Sequence, residues 1–254
     1  MTVLSLEAVP IPGIPEIEPA ADLAGMVLDA AQRHSIRISA ADVLVFAQKV
    51  VSKAEGRLRA LEDVEPGDRA LALASELDKD PRLVQVILDE SSDVVRAERG
   101  VLITRTRRGH VCANAGVDGS NVPGELVSLL PEDSDESARR LRAEVGRRLG
   151  EAPAVVVSDS FGRPWRLGQT EVAIGCAGLS PLDDRRGLHD ALGQELKATL
   201  PAIADQAASA AGLVRSKDGR EGIVIVRGLQ RFITGADGPG AAALVRARED
   251  DLFK

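Results

Sequence analysis

The chain has 254 residues, 44% of them hydrophobic, and a net charge of −7 at pH 7; that length allows one large domain, or two closely joined ones, with a sizeable core and no covalent staples. An acidic chain with 2% aromatics and no tyrosine lacks both the basic face that nucleic acid requires and the rings on which single-stranded bases stack. No apolar run approaches the roughly 20 residues of a membrane-crossing helix and the N-terminus has no basic-then-apolar secretory pattern, so the expected compartment is the cytoplasm, with no membrane partner.

Four prolines, Pro10, Pro12, Pro15 and Pro19, crowd the opening stretch. Pro12-Gly13-Ile14-Pro15 must run extended or turn, because proline fixes its own φ and restricts the residue before it. Leu23, Met26, Val27 and Ala30 recur at helical spacing after Asp22, with an end expected before Ser35. Residues 42–52 read as a buried strand, Val43-Leu44-Val45-Phe46, running on into Gln48-Lys49 and Ser52-Lys53, which puts Lys53 at a strand exit. Two helical patterns lie between residues 67 and 96, separated by Asp80-Pro81. Residues 101–106 and 111–113 then flank Arg107-Arg108-Gly109 as a hairpin.

A helix over residues 134–149 places Leu141, Val145 and Leu149 on one face. Residues 154–157 read as a strand, and the Ala-rich stretch 201–213 as a helix suited to close packing or a subunit contact. Ile223-Val224-Ile225-Val226 is another buried strand, closed by Arg227-Gly228. Hairpin-like and helix-separated strands together predict an α+β fold, mixed sheets with packed helices over a doubly wound sheet. Neither a P-loop nor a Rossmann fingerprint occurs.

Cys112 and Cys176 fall outside any Cys-x-x-Cys pattern and read as small buried hydrophobes. His34, His110 and His189 share no ligand spacing, which argues against a zinc enzyme. Arg105-Thr106-Arg107-Arg108 reads as a solvated strand end or turn.

Two loops carry the chemistry. Residues 156–169 run from a β-branched strand into Ser158-Asp159-Ser160-Phe161-Gly162-Arg163-Pro164-Trp165-Arg166, an acid, hydroxyls and two arginines at the mouth of one strand. Asp-Ser offers the hard oxygens that Mg2+ or Mn2+ prefers, and Arg163 and Arg166 suit either a two-pronged clamp on carboxylate or phosphate or plain surface salt bridges. Trp165 between them reads as a packing anchor. Such residues also serve as caps and turns. What sets them apart is a second Asp with similar flanks: residues 110–121 lead from an apolar stretch into a small-residue turn bearing Asp118, Ser120 and Asn121. Two such loops could share a metal, and the pattern suits an enzyme acting on phosphorylated compounds.

Read with Gln48-Lys49-Val50-Val51-Ser52-Lys53-Ala54-Glu55-Gly56-Arg57, these loops resemble the coenzyme F420-0:L-glutamate ligase (γ-glutamyl ligase) family, whose members attach γ-linked glutamate to a deazaflavin precursor using GTP. The resemblance runs from Pro12 to the closing Glu249-Asp250-Asp251-Leu252-Phe253 and makes residues 1–254 one unit, without the C-terminal flavin-binding domain that some fused members carry. It implies that Asp118 and Asp159 hold Mg2+ or Mn2+, with Ser160 near a second ion, and that a monovalent cation such as K+ is a further candidate. By the same resemblance Gln48, Lys49, Lys53 and Asn121 meet the nucleotide. Pro12, Gly13, Ile14 and Pro15 would line it, and so would the stretch through Leu213, Val214, Arg215, Ser216 and Lys217. An intertwined homodimer is implied, as is an acyl-phosphate route in which Lys53 offsets charge on the transferred phosphoryl group and Arg163 and Arg166 meet a substrate carboxylate or phosphate. Two alternatives stay open: a divergent paralogue that binds nucleotide and metal without turnover, and an amide ligase for another phosphorylated carboxylate. Departures from the family pattern cluster after Leu182: Asp183-Asp184-Arg185-Arg186 without an aromatic, Leu192 for an aromatic, Gln206 for an acid, and Arg215-Ser216 for Met-Gly.

Overall fold

The computed structural model describes residues 5–120, 124–215 and 221–251. In chain order the elements are β1 (Glu7–Pro10), α1 (Leu23–Arg33), β2 (Val43–Ala47), α2 (Gln48–Ala54), β3 (Leu58–Ala60), α3 (Asp68–Leu77), α4 (Pro81–Asp89), β4 (Ser91–Glu98), β5 (Val101–Thr106) and β6 (Val111–Ala113). There follow β7 (Leu126–Ser128), α5 (Ser134–Leu149), β8 (Ala154–Arg163), β9 (Arg166–Ala177), α6 (Ile203–Gly212) and β10 (Ile223–Arg227).

The α+β expectation holds. The main sheet has the order β1-β10-β2-β8-β9. Only β2 and β8 pair in parallel in it, every other neighbour being antiparallel, so the sheet is mixed rather than doubly wound. Its central strands are apolar throughout because both faces are covered. Leu44, Phe46, Val155, Val157, Ile223 and Ile225 meet α1 and α5 on one face, while Val43, Val45, Val156, Val224 and Val226 meet the alanine-rich α6 on the other. A smaller core lies where α3 and α4 cover the β4-β5-β6 sheet.

Capping chemistry sets the helix boundaries. Asp22, Asp80 and Asp133 accept from the backbone amides of Gly25, Arg82 and Glu136, satisfying donors that a first turn leaves open. Gly150 ends α5 in the left-handed conformation that glycine adopts without a Cβ penalty. One further acid pins α5 to the sheet. Asp135, buried in its first turn, accepts from the Cys176, Ala241 and Ala242 amides at 2.8, 2.6 and 3.1 Å. Gly175 and Gly240 make that approach possible, since a Cβ on either would strike Ser134 or the Asp135 carboxylate itself.

Four further expectations are corrected. Residues 48–54 form α2 rather than a strand exit, so Lys53 stands on a helix. The stretch expected to extend the second helical pattern to residue 96 is instead β4 from Ser91, which pairs antiparallel with β5 across two register shifts. Finally, β8 does not end at Asp159-Ser160 but runs to Arg163 and returns as β9. The reversal leaves Trp165 at φ 56° and 80% exposed, a tip residue rather than a packing anchor. Cys112 and Cys176 are buried, as expected, and burial pushes each thiol up to about 12. Among the described residues no helix is long and apolar enough to cross a membrane.

Candidate active site

The carboxyl ends of the one parallel strand pair of the main sheet, where Ala47 of β2 faces Ser158 of β8, are where open sheets present ligand sites. α2 begins directly from β2, and its Lys49 and Lys53, one turn apart, share a helix face. β8 continues past its parallel partner as a hairpin with β9. A register shift between Val157 and Ser158 bends the strand at the point where Asp159 emerges from the core.

Asp118 arrives on the loop between β6 and β7. Asn114, Ala115 and Gly116 are all left-handed, and Gly116 has no room for a Cβ against Leu130. For a non-glycine residue this conformation costs energy that the surrounding structure must offset. The turn delivers Asp118 to paired backbone hydrogen bonds with Ser128, which fix the base of the loop. The carboxylate then accepts from Lys49 Nζ at 2.7 Å and from the Ser120 amide and hydroxyl at 2.7 and 2.9 Å. Burial works against ionisation there, but Lys49 and Ser120 hold the carboxyl below the usual carboxylate range.

Asp159 behaves oppositely. Burial, reinforced by the nearby carboxylates of Glu171 and Asp118, pushes it from 3.8 up to about 7, against the pull of the Ser160 amide and of Lys49. Asp118 and Asp159 are thus near enough for the charge of one to be felt by the other. Among the described residues no three acidic, histidine or cysteine side chains converge on one point tightly enough to enclose an ion. Asp118, already ionised beside Lys49, and the buried carboxyl of Asp159 still offer hard oxygens that suit a cation completing its shell with water and substrate oxygens, as Mg2+ does.

The shift has a consequence for the metal-free protein. Folded Asp159 keeps its proton to about 7, whereas the unfolded chain releases it near 3.8; the stability this contributes is full at low pH and lost as pH rises through about 7. In chelator, the difference between the melting temperatures of parent and Asp159→Asn protein is expected to move in the variant's favour between about pH 5 and pH 8. A difference that does not change with pH contradicts this.

The other expected residues divide by location. Lys53, with its side chain 12% exposed, pairs with Glu16, which follows the Pro12–Pro15 turn. Gly13 in that turn is left-handed, and its carbonyl accepts from Arg33 at 3.1 Å, so the turn leans on the end of α1 close to α2. Gln48 is buried, its amide donating to Ser52 and to the Leu129 carbonyl, which braces α2 against the chain beyond β7. Arg163 and Arg166 stand at the hairpin tip, about 13 Å along the strand from Asp159, and Arg163 donates to the Leu167 carbonyl at 2.8 Å. Alternation along β8 directs the Ser160 hydroxyl away from Asp159, and it bonds to Glu171. Arg215, with its side chain 10% exposed, reaches the same Glu171 at 2.9 Å; Leu213 and Val214 are both exposed. Asn121, Ser216 and Lys217 lie outside the described residues. The basic run 105–108 is engaged locally: Arg105 with Asp251, Arg107 with the Asp89 carbonyl, and Arg108 with Asp133.

Sequence reasoning did not single out Glu171 or Glu16. Counting back along both arms from the Arg163-Pro164-Trp165-Arg166 turn would have set Gln169 opposite Ser160; the register shift between Gly162 and Arg163 puts Glu171 there instead. Glu16 gave no signal either.

This arrangement occurs in a chain whose class is clear from comparison: the family model F420-0:Gamma-glutamyl ligase matches residues 13–228, and the chain belongs to that family. It is 39% identical to the Coenzyme F420:L-glutamate ligase of Methanothermobacter thermautotrophicus, over 99% of this chain and 100% of that protein. With the protein of the same description from Methanopyrus kandleri it shares 43% identity, over 98% of each. The Haloarcula marismortui protein of that description is 39% identical, over 98% of this chain and 96% of its own.

Proposed function

We propose that this chain is a GTP-dependent ligase that joins the amine of L-glutamate to the carboxylate of coenzyme F420-0 through an acyl phosphate, working as a cytoplasmic homodimer. The observation that carries the reading is the meeting of Asp118, Lys49 and Asp159 at one end of the parallel strand pair, in a chain 39–43% identical over nearly its full length to proteins described as Coenzyme F420:L-glutamate ligase.

A carboxylate does not acylate an amine near neutral pH until one of its oxygens becomes a leaving group. In the proposed route a carboxylate oxygen of the acceptor attacks the γ-phosphorus of GTP and the bond to the bridging oxygen breaks, giving GDP and an acyl phosphate. The glutamate amine then attacks the acyl carbon. The C–O bond breaks, inorganic phosphate leaves, and the amine proton passes to solvent or a nearby base.

Asp118 and Asp159 are the residues that would hold Mg2+ or Mn2+, which when bound neutralises phosphate oxygens during the transfer. Lys49 and Lys53 present two ammonium groups on one helix face for charge on the transferred group. Pro12, Gly13, Ile14 and Pro15 would border the nucleotide together with Asn121 and the stretch from Leu213 to Lys217. Arg163 and Arg166, at the hairpin rim, would receive a substrate carboxylate or phosphate.

Phosphate release from GTP tests the reading. Release is expected only when F420-0 and L-glutamate are both present with Mg2+ or Mn2+, and the same assay with and without K+ tests a monovalent requirement. The altered residues after Leu182 favour one rival, a nucleotide-binding paralogue, which predicts GTP binding with no phosphate release under any of these conditions. Release that ignores F420-0 but responds to a different phosphorylated carboxylate would replace the acceptor.

A further inference from the structure

Side-chain alternation gives the β8–β9 hairpin two chemically different faces. Asp159 looks toward Asp118, while Ser158 and Ser160 look the other way, toward α6. Directly opposite Ser160 in register is Glu171, whose carboxylate accepts from the Ser158 hydroxyl at 2.7 Å and from the Ser160 hydroxyl. Into this group comes the guanidinium of Arg215. Its Nη1 donates to Glu171 at 2.9 Å and to the Ser158 oxygen at 2.7 Å, and its Nη2 donates to the Val45 carbonyl at 2.8 Å.

Three features mark this as more than a salt bridge. Both partners are largely removed from water, Arg215 at 10% and Glu171 at 15% exposure. The acceptors come from three strands, β2, β8 and β9, and comprise a carboxylate, a hydroxyl and a backbone carbonyl, which are the hard oxygens that Mg2+, Mn2+ and Ca2+ take. The fit to arginine is also incomplete: among the described residues its buried Nε finds no hydrogen-bond partner, as is true of Arg105 and Arg142 too. What the surroundings supply is a set of oxygens that answers a positive charge.

We propose that Arg215 is a resident cation: its guanidinium fills an all-oxygen pocket made by Glu171, Ser158 and the Val45 carbonyl, and that pocket takes a divalent ion once the guanidinium is removed. Arg215 thus acts as a positioning residue. It compensates Glu171 and ties the chain after α6 to the strand ends that carry Asp159. The inference stands beside the proposed function, because its test compares variant with parent and reads out even if the parent binds no ion at Asp118 and Asp159.

The test is an equilibrium titration of the metal-depleted full chain with Mn2+ alone, following unbound Mn2+ by its paramagnetic resonance signal, with circular dichroism as the control for folding. Arg215→Met is expected to bind one more Mn2+ per chain than the parent. Adding Glu171→Gln should abolish that gain, and Arg215→Lys, which keeps the charge, should bind the parental number. Arg215→Gln serves the same purpose if the Met variant does not fold. In the parent, Glu171→Gln should leave the Mn2+ count unchanged. A folded Met or Gln variant with the parental count would overturn the proposal, as would an extra ion that survives Glu171→Gln, or a parent that loses an ion when Glu171 is changed. A purely structural role for Arg215 predicts a lower melting temperature and no gained ion.

Discussion

Asp159→Asn is expected to lower the rate of glutamyl transfer by about 10^2 to 10^3-fold or more, the scale seen when one fixed electrostatic group is removed from a charge-developing transition state. The same variant should melt no lower than the parent at neutral pH. Both halves follow from one environment. Asp159 is raised to about 7 by burial and by Glu171 and Asp118, so its charge is a liability to the resting fold and has value only when a cation and substrate oxygens share it. Asparagine keeps the shape and removes the charge. Steady-state phosphate release together with a melting curve measures both. A variant with parental turnover would remove Asp159 from the chemistry, and one inactive because it is unfolded would show that the carboxylate serves the scaffold instead.

The largest stability effect is expected away from the site, at Asp135. Its carboxylate accepts from three backbone amides that belong to β9 and to the segment following Gly240. Asp135→Ala leaves those donors buried and unpaired, at about 1–3 kcal/mol each. Partial relaxation and entering water would reduce the sum to roughly 3–6 kcal/mol. At about 2–4 °C per kcal/mol for a chain of this size, the melting temperature should fall by on the order of 10 °C or more. Urea unfolding of parent and variant decides the point; a midpoint shift corresponding to under about 1 kcal/mol would mean that the three contacts are dispensable. An exposed ion pair such as Arg186 with Asp184 should by comparison be nearly silent when removed.

The main sheet was legible because Val43-Leu44-Val45-Phe46, residues 154–157 and Ile223-Val224-Ile225-Val226 are uninterrupted apolar runs, and only a strand covered on both faces sustains such a run. α5 was legible to the residue because Asp133, an acidic first turn, basic last-turn arginines and Gly150 mark both its ends. α2 was not. Seven residues carry too few turns for a helical period, and Gln48-Lys49-Val50-Val51 reads as well as a strand continuing from Phe46. β4 was lost for a different reason: its side chains alternate poorly, because register shifts break the regular pattern on a partly exposed sheet.

The two aspartate loops were visible as repeated motifs, and in the fold the charge of Asp118 reaches Asp159. Their opposite electrostatic states were invisible, since those depend on the burial of Asp159, on Glu171 arriving from the far arm of a hairpin, and on Lys49 arriving from α2. Arg215 illustrates the same limit. In the sequence it is a departure in a loop, whereas in the fold it is a largely buried cation held by three strands.

The most direct test of the account is whether Asp118 and Asp159 grip one ion together. Mn2+ affinity measured in the presence of GTP for the parent, Asp118→Asn, Asp159→Asn and the double variant is expected to show the same site lost in all three variants, with the double variant no weaker than either single one. Should either single variant keep the parental affinity, or the two losses simply add, the carboxylates would be serving separate ends and the shared-ion account would be wrong.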